Sequence, residues 1–416
     1  MQIKFKVSAT LLNDALDTVS VVAPRAITPQ GNTGYLFVVS GETCRVYSQD
    51  ALRVARASFP ISEVEGEGPF IYPSQHIGAF KFADGDISFT AVSDGDSHHV
   101  SYDIGGGAGT HRTTLDPKLL ATCDRDIEAA TNERQFPVAL LRESMSMSRP
   151  FMAEAKDTRV EEHYKTFQIF DGSTEALAKA DGNLYASNGL QAFFFHCDAF
   201  KGKGLSVHGQ HLPLLASFLA RCEGDVTFKD SANKTFAIDS KGHVLGWTHH
   251  KKMYERFSYY GLKLDKIVLA VPKARALNSL RYTKSEMDSK RDKIRIHFDA
   301  ENSTLRFAVI EGDSKSTSPS VDVRAVSSDN KDVTTNVNIE HLIELFEGSK
   351  AEEVELRVAV IPAGDNRPKD SVMFRTIDEF WLNGEGKVVG GSSIPEGKEP
   401  EGAYRCKVTR FMQDKA

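Results

Sequence analysis

Val333-Thr-Thr-Asn-Val-Asn-Ile-Glu-His-Leu-Ile-Glu-Leu-Phe346 changes its period halfway along. Up to Asn338 it is β-branched and polar, with Val333, Val337 and Ile339 on one side of a two-residue repeat. From Ile339 onward the apolar residues fall at 339, 342, 343 and 346, the i, i+3, i+4, i+7 stripe of a helix lying on a core. A short strand therefore runs straight into an amphipathic helix.

The same switch recurs along the chain. Ile3-Lys-Phe-Lys-Val-Ser8 leads into Leu11-Leu12-Asn-Asp-Ala15-Leu16, Arg134-Gln-Phe-Pro-Val138 into Leu140–Met145, and Ile267–Pro272 into Ala276–Leu280. Ser8, Pro137 and Pro272 mark equivalent junctions roughly 130 residues apart, about one domain each. A second set lies between them: Phe70–Phe80, Leu205–Leu219 and Val333–Phe346. Self-similarity at a fixed interval signals an internally repeated architecture. The chain reads as six βα units, two in each of three domains.

Between the helices come short alternating strands, such as Lys293–Phe298, Thr304–Ile310 and Val354–Val360. Hairpin signals stand at Asp84-Gly85, Asp94-Gly95, Asp171-Gly172, Asp181-Gly182, Asn188-Gly189 and Asn383-Gly384. The expected class is α+β, with antiparallel sheets and few helices packed on one face. Linkers are expected near Lys118–Glu133 and Gly261–Lys266, and exposed loops at Gly105–Gly109 and at the Gly/Pro/Glu-rich stretch 384–402.

The totals fit such a chain. Its 416 residues, 40% hydrophobic and 26% charged, suffice for several packed cores. The longest apolar runs fall far short of the roughly 18 residues of a membrane span. Alternation from Gln2 onward reads as a strand rather than a signal peptide. Five scattered cysteines, with no C-x-x-C pair, suit neither a disulfide framework nor a zinc site. The adjacent pairs His98-His99 and His249-His250 point to opposite faces of a strand and cannot share one metal. Gly105–Gly109 lacks the Lys-Ser/Thr of a phosphate loop, and no G-x-S-x-G elbow is present. No catalytic residue, metal or cofactor is expected. A net charge of −6 requires that any nucleic-acid surface be local.

Three domains of duplicated βα units resemble the bacterial DNA polymerase III beta subunit, the sliding clamp. Gln49–Arg56 stands in the place of its T-D-L-E strand, Lys165–Phe170 with Leu184–Gly189 resembles the middle domain's hairpin and A-T-D-G-H-R-L turn, and Tyr404–Phe411 resembles the closing strand. The turn here reads Ser-Asn-Gly-Leu-Gln without the family's His-Arg, and Met253–Tyr260 does not keep F-P-D-Y-R-R. These departures suit a divergent member, such as one from a phage.

The resemblance implies clamp domains at 1–125, 134–262 and 263–416, the last with an insertion near 384–402, each with two helices on an inner face and sheets outside. It implies a non-catalytic processivity factor in the cytoplasm of a bacterium or phage-infected cell, closing as a head-to-tail homodimer around double-stranded DNA. Sequence-independent contact would come from cations on or beside the helices: Arg25, Arg142, Arg149, Lys201, Lys203, Lys273, Arg275, Arg281 and Lys284. The helix bearing the last four is the strongest candidate; Asp14, Asp17, Glu340, Glu344 and Glu347 oppose them, and the ordinary alternative for each cation is a solvated face. Polymerase and clamp loader would dock by short peptides at Ser187, Asn188, Gly189, Leu190, Tyr254, Phe257, Val408 and Phe411, the alternative being plain core residues. The competing function is a structural or assembly protein built from the same repeats without encircling DNA.

Overall fold

The computed structural model describes residues 2–22, 34–50, 52–94, 97–114, 120–172, 183–188, 191–249, 265–288, 292–309, 317–325, 333–347, 349, 352–361, 371–382, 388–390 and 403–410. The first third contains β1 (Gln2–Ser8), α1 (Ala9–Val19), β2 (Gly34–Ser40), β3 (Thr43–Gln49), β4 (Arg53–Pro60), β5 (Ser62–Glu65), β6 (Gly68–Pro73), a 3-10 helix (Ser74–Phe82), β7 (Asp86–Asp94), β8 (Ser97–Asp103) and β9 (Ala108–Thr114). The middle third contains α2 (Leu120–Glu128), β10 (Thr131–Pro137), α3 (Val138–Ser148), β11 (Thr166–Ile169), β12 (Asn183–Ser187), β13 (Gln191–His196), β14 (Leu205–His208), α4 (Leu212–Leu219), β15 (Asp225–Asp230), β16 (Lys234–Ile238) and β17 (Val244–Thr248). In the last third come β18 (Asp265–Pro272), α5 (Lys273–Ser285), β19 (Lys293–Asp299), β20 (Thr304–Val309), β21 (Val321–Asp322) and β22 (Arg324–Ala325). These are followed by β23 (Val333–Asn338), α6 (Ile339–Glu347), β24 (Glu353–Ile361), β25 (Ser371–Leu382), β26 (Val388–Gly390) and β27 (Ala403–Arg410).

One construction is repeated six times. The strand entering each helix pairs antiparallel with the first strand of a three-stranded meander, and the pairing always ends at the same place. Ser8 lies opposite Asp86, Pro73 opposite Gly34, Pro137 opposite Asp225, His208 opposite Thr166, Pro272 opposite Glu353 and Asn338 opposite Lys293. In each pair the last residue of the entering strand meets the first residue of the meander. The backbone then turns into its helix by a shared device. The first helical N–H of α1, α3, α5 and α6 (Ala9, Val138, Lys273 and Ile339) donates to the carbonyl just before the partner strand, on Gly85, Gly224, Glu352 and Asp292, at 2.8–2.9 Å. A helix start leaves four N–H groups without internal partners. Here one of them is satisfied by neighbouring backbone, and neither α1 nor α5 uses a side-chain cap.

Burial follows the pattern read from the sequence. Ile3, Phe5 and Val7 of β1 are buried while the residues between them are not. Phe5 stacks on Phe89 at 5.1 Å and Phe37 on Phe70 at 5.1 Å, filling the space between sheets. On α6, Ile339, Leu342, Ile343 and Phe346 are buried, the stripe seen in the sequence. They join Leu277, Leu280, Ile294, Ile296, Phe298 and Phe307 in one core.

Four of the six meanders join edge to edge in pairs. The sheet β5-β1-β7-β8-β9 stands alone, and the eight-stranded sheet β10-β15-β16-β17-β4-β3-β2-β6 contains two meanders joined at a β17–β4 seam. In the second unit, β14-β11-β12-β13-β27-β25-β24-β18-β22 contains two more, joined at a β13–β27 seam, and β21-β20-β19-β23 stands alone. The chain packs as two compact units, residues 1–138 with 210–250 and residues 139–209 with 251–416. Each seam lies within one unit.

Four local expectations need correction. The stretch 118–133, read as a linker, holds α2 and the start of β10. Its polarity hid a short helix on which Ile127 is buried. Residues 74–82 form a 3-10 helix rather than an α-helix: Gly78 weakens it, and only Phe80 is buried, against Tyr72 and Phe89. Asp84-Gly85 links that helix to β7 and makes no hairpin, with Gly85 at φ +101°. The loop expected at 384–402 contains β26, paired to β25 through Trp381 and Val389. Gly105–Gly107 form the turn of the β8–β9 hairpin, closed by Ile104 N–H to the Gly107 carbonyl at 2.9 Å, while Ala108 and Gly109 of the expected loop already pair in β9. Asp181-Gly182 and Asn383-Gly384 lie outside the described residues.

Candidate nucleic-acid interface

The helices differ in what they offer to an anion. On α5, Ala276, Leu277, Leu280 and Thr283 face the core, leaving Arg275, Arg281 and Lys284 exposed. Arg281 meets Glu347 at 2.9 Å and Lys284 meets Glu340 at 2.6 Å. Moving three residues forward on α5 moves seven back on α6, so the two helices run antiparallel with their charges zipped together. Arg275 pairs with Asp322 at 3.0 Å, and Lys273 Nζ donates to the Ser349 carbonyl at 2.6 Å. All four cations of α5 are therefore engaged within the chain. Exposed pairs of this kind contribute about 0–1 kcal/mol each.

On α3 the arrangement is different. Leu140, Leu141, Ser144, Met145, Met147 and Ser148 are buried, while Arg142, Ser146 and Arg149 are exposed. Arg142 lies on α3, and Arg149, seven residues further on, opens the 3-10 helix Arg149–Phe151 that directly follows it. Neither forms an ion pair among the described residues. Sequence reasoning missed two further cations beyond this ridge, Lys156 and Arg159, both exposed. Arg159 grips Asp157 through two nitrogens at 3.0 Å and holds that carboxyl down at about 2. Their only sequence signal was a mixed-charge loop.

The other candidates are scattered. Lys201 pairs with Asp198 at 2.7 Å and, with half-buried Lys203, belongs to the turn before β14 rather than to α4. The exposed residues of α4 (Pro213, Ala216 and Ser217) are uncharged. Asp14 and Asp17 of α1 face Lys241 at 3.6 Å and Arg221 at 3.7 Å. Arg25 lies outside the described residues.

Of the peptide-pocket candidates, Ser187 is buried and Asn188 half-buried at the end of β12, and Val408 sits on β27 opposite Ala192 of β13. Ala192 is in turn opposite Ser187 of β12, so Ser187, Ala192 and Val408 stand in register across three neighbouring strands. Gly189, Leu190, Tyr254, Phe257 and Phe411 lie outside the described residues. Among the described residues no group of three or more His, Cys, Asp or Glu side chains is placed to hold a metal ion, and no helix is long and apolar enough to cross a membrane.

A second cluster went unseen in the sequence. Asp124 of α2 accepts from Arg45 at 2.7 Å, Tyr47 Oη at 2.6 Å and Arg56 at 2.9 Å. Burial and this carboxylate both push the Tyr47 phenol pKa up. Two residues on, Asp126 meets Lys234 of β16 at 3.2 Å, and Ile127 enters a core with Tyr47, Val54, Phe236 and Val244. One short helix thus holds both sides of the β4–β17 seam.

Neither family models nor curated protein sequences match the chain. Solved structures do. The DNA polymerase sliding clamp from Pseudomonas aeruginosa, solved with a ligand, matches with a TM-score of 0.69 at 13% identity over 99% of both chains. The beta sliding clamp of C. crescentus matches with a TM-score of 0.70 at 12% identity over 99% of both. The DNA polymerase III beta subunit of Thermotoga maritima matches with a TM-score of 0.65 at 13% identity, over 99% of this chain and 100% of that one. At such identities the likeness is one of fold, and it spans the full length of both chains. The protein has the sliding-clamp fold.

Proposed function

We propose that this chain is a DNA sliding clamp, a non-catalytic processivity factor that encircles duplex DNA and tethers a polymerase by topology. Its three domains would be 1–125, 134–262 and 263–416. The observation that carries this reading is the bookkeeping of sheet edges. Each meander ends in a last strand: β9, β4, β17, β13, β27 and β21. Four of these are consumed in the β4–β17 and β13–β27 seams, each joining one type of half-domain to the other. The two remaining, β9 and β21, are again one of each type, at opposite ends of the repeat. Unpaired edges invite pairing, and a head-to-tail contact that closes gives a ring. Two copies joined β9 to β21 twice would form that ring, with α1 and α3 to α6 lining it. Phosphate contact without base contact is what a sliding ring requires.

The closing edge is weak by construction. β21 is two residues long, and the segment leading to it contains Pro319, which has no N–H to give. α5 straps the segment in place, with Ser279 Oγ donating to the Pro319 carbonyl at 3.1 Å. A reversible joint suits a ring that must open to load. The polymerase and the loader would dock as peptides beside the β13–β27 seam, an arrangement suited to extended segments with apolar anchors.

The test is a cross-link. Chains carrying both Thr110→Cys on β9 and Ser320→Cys beside β21 should be joined by a short bis-maleimide into covalent dimers closed at two joints, with either single variant giving no more than the wild-type background. Cross-linking by the single variants, or none by the double variant at any concentration, would contradict the head-to-tail ring.

A further inference from the structure

We infer that α6 masks α5, so that the α3 ridge of Arg142 and Arg149, and not the more basic α5, carries the contact with duplex DNA. This rests on the clamp reading and assigns its contact residues. The cations of α5 are Lys273, Arg275, Arg281 and Lys284. Against them stand Glu340, Glu344, Glu347 and Asp322, three of which are in ion pairs of 2.6–3.0 Å with Arg275, Arg281 and Lys284. Three of the four cations are held by carboxylates and the fourth, Lys273, by the Ser349 carbonyl, and Glu286 and Asp288 follow just beyond α5.

DNA binds basic proteins by exchanging condensed counterions for protein cations. A cation already held by a carboxylate gives no net gain in that exchange. A phosphate that displaces Glu347 from Arg281 leaves the Glu347 charge beside the phosphate, and a solvent cation must return to balance it. The pairs are individually weak, so the mask is not a lock. It acts by cancelling charge, with the α6 carboxylates standing where phosphates would stand. On α3 and at its end, the exposed Arg142 and Arg149 have no carboxylate within ion-pair distance among the described residues, so each phosphate contact there releases a counterion.

The experiment measures binding of the full-length chain to a fluorescent duplex as a function of salt, using neutral substitutions that avoid new repulsions. Losing two phosphate contacts should flatten the log–log salt slope by about 2 and weaken affinity at 0.1 M salt roughly fiftyfold. That is the result expected for Arg142→Gln with Arg149→Gln. Arg281→Gln with Lys284→Gln should change affinity less than about twofold. Glu340→Gln with Glu347→Gln should unmask α5, steepening the slope by about 2 and tightening binding. Melting curves of each variant separate loss of contact from loss of fold. An α5 double variant that weakens binding as much as the α3 one, or an unmasked variant that binds no more tightly, overturns the inference. A wild-type chain with no salt-dependent affinity for duplex at all would instead sink the clamp reading.

Discussion

Asp124→Ala is expected to lower stability by about 2–3 kcal/mol and to loosen the β4–β17 seam before the rest of the fold. The Asp124 carboxylate is the shared acceptor for Arg45, Tyr47 and Arg56, at 2.6–2.9 Å. Removing it strands two guanidinium groups and a phenol in a setting where Arg56 is only 17% and Arg45 32% exposed. Breaking a fully buried pair costs about 3–5 kcal/mol. Asp124 itself keeps 26% exposure, so water reclaims part of that cost. Ile127→Ala, at 7% exposure, should lose a comparable 2–4 kcal/mol by opening a cavity between Tyr47, Val54, Phe236 and Val244. The measurement is denaturant unfolding together with amide exchange. Faster exchange at Val54, Leu245 and Trp247 than at β1 and β7 is the expected signature. Uniform exchange, or an unchanged midpoint, would show that α2 is a passive connector.

Gly246→Leu is expected to be more damaging still, costing over 3 kcal/mol or abolishing soluble expression. Gly246 lies opposite Val54 across the seam and opposite Phe236 on its other side. A Cβ there would come within 2.6 Å of the Phe236 ring and 2.9 Å of Val54 Cγ1. Both neighbours are buried and hemmed in, so neither can yield. Even one methylene too many in a packed core costs about 1–3 kcal/mol, and this substitution adds four carbons. Gly78→Ala is the control: nothing lies within 4 Å of its Cβ position, and the change should fall within about 0.5 kcal/mol. A well-folded Gly246→Leu protein with a wild-type melting temperature would mean that the seam is open enough to fill.

How far the sequence could be read depended on the range of the interaction. Alternation and helical stripes are local, so the six strand-to-helix switches were visible, and Ile339, Leu342, Ile343 and Phe346 are buried as their spacing implied. The 3-10 helix was misjudged because Ile77 and Phe80 mimic a stripe that Gly78 and one buried aromatic cannot sustain. Helix α2 escaped notice because Asp124, Arg125 and Asp126 look like a solvated linker; their partners Arg45, Arg56 and Lys234 lie on strands far away in sequence. Gly246, set within Val-Leu-Gly-Trp-Thr, did carry a signal, since a glycine inside a strand often marks close approach of a neighbour. The charge balance of α5 was legible in composition but not in consequence, because only the antiparallel pairing with α6 shows which cation meets which acid.

The central claim is topological, and topology can be measured without a loader. The chain with Thr110→Cys and Ser320→Cys would be cross-linked in the presence of nicked circular duplex, then stripped with denaturant and high salt, conditions under which contacts between charges are screened. A ring closed around DNA stays threaded on the circle even when unfolded, and is released when a restriction enzyme linearises it. That is the predicted result. Covalent dimers washed from circular and linear DNA alike would show that two copies close without enclosing a double helix.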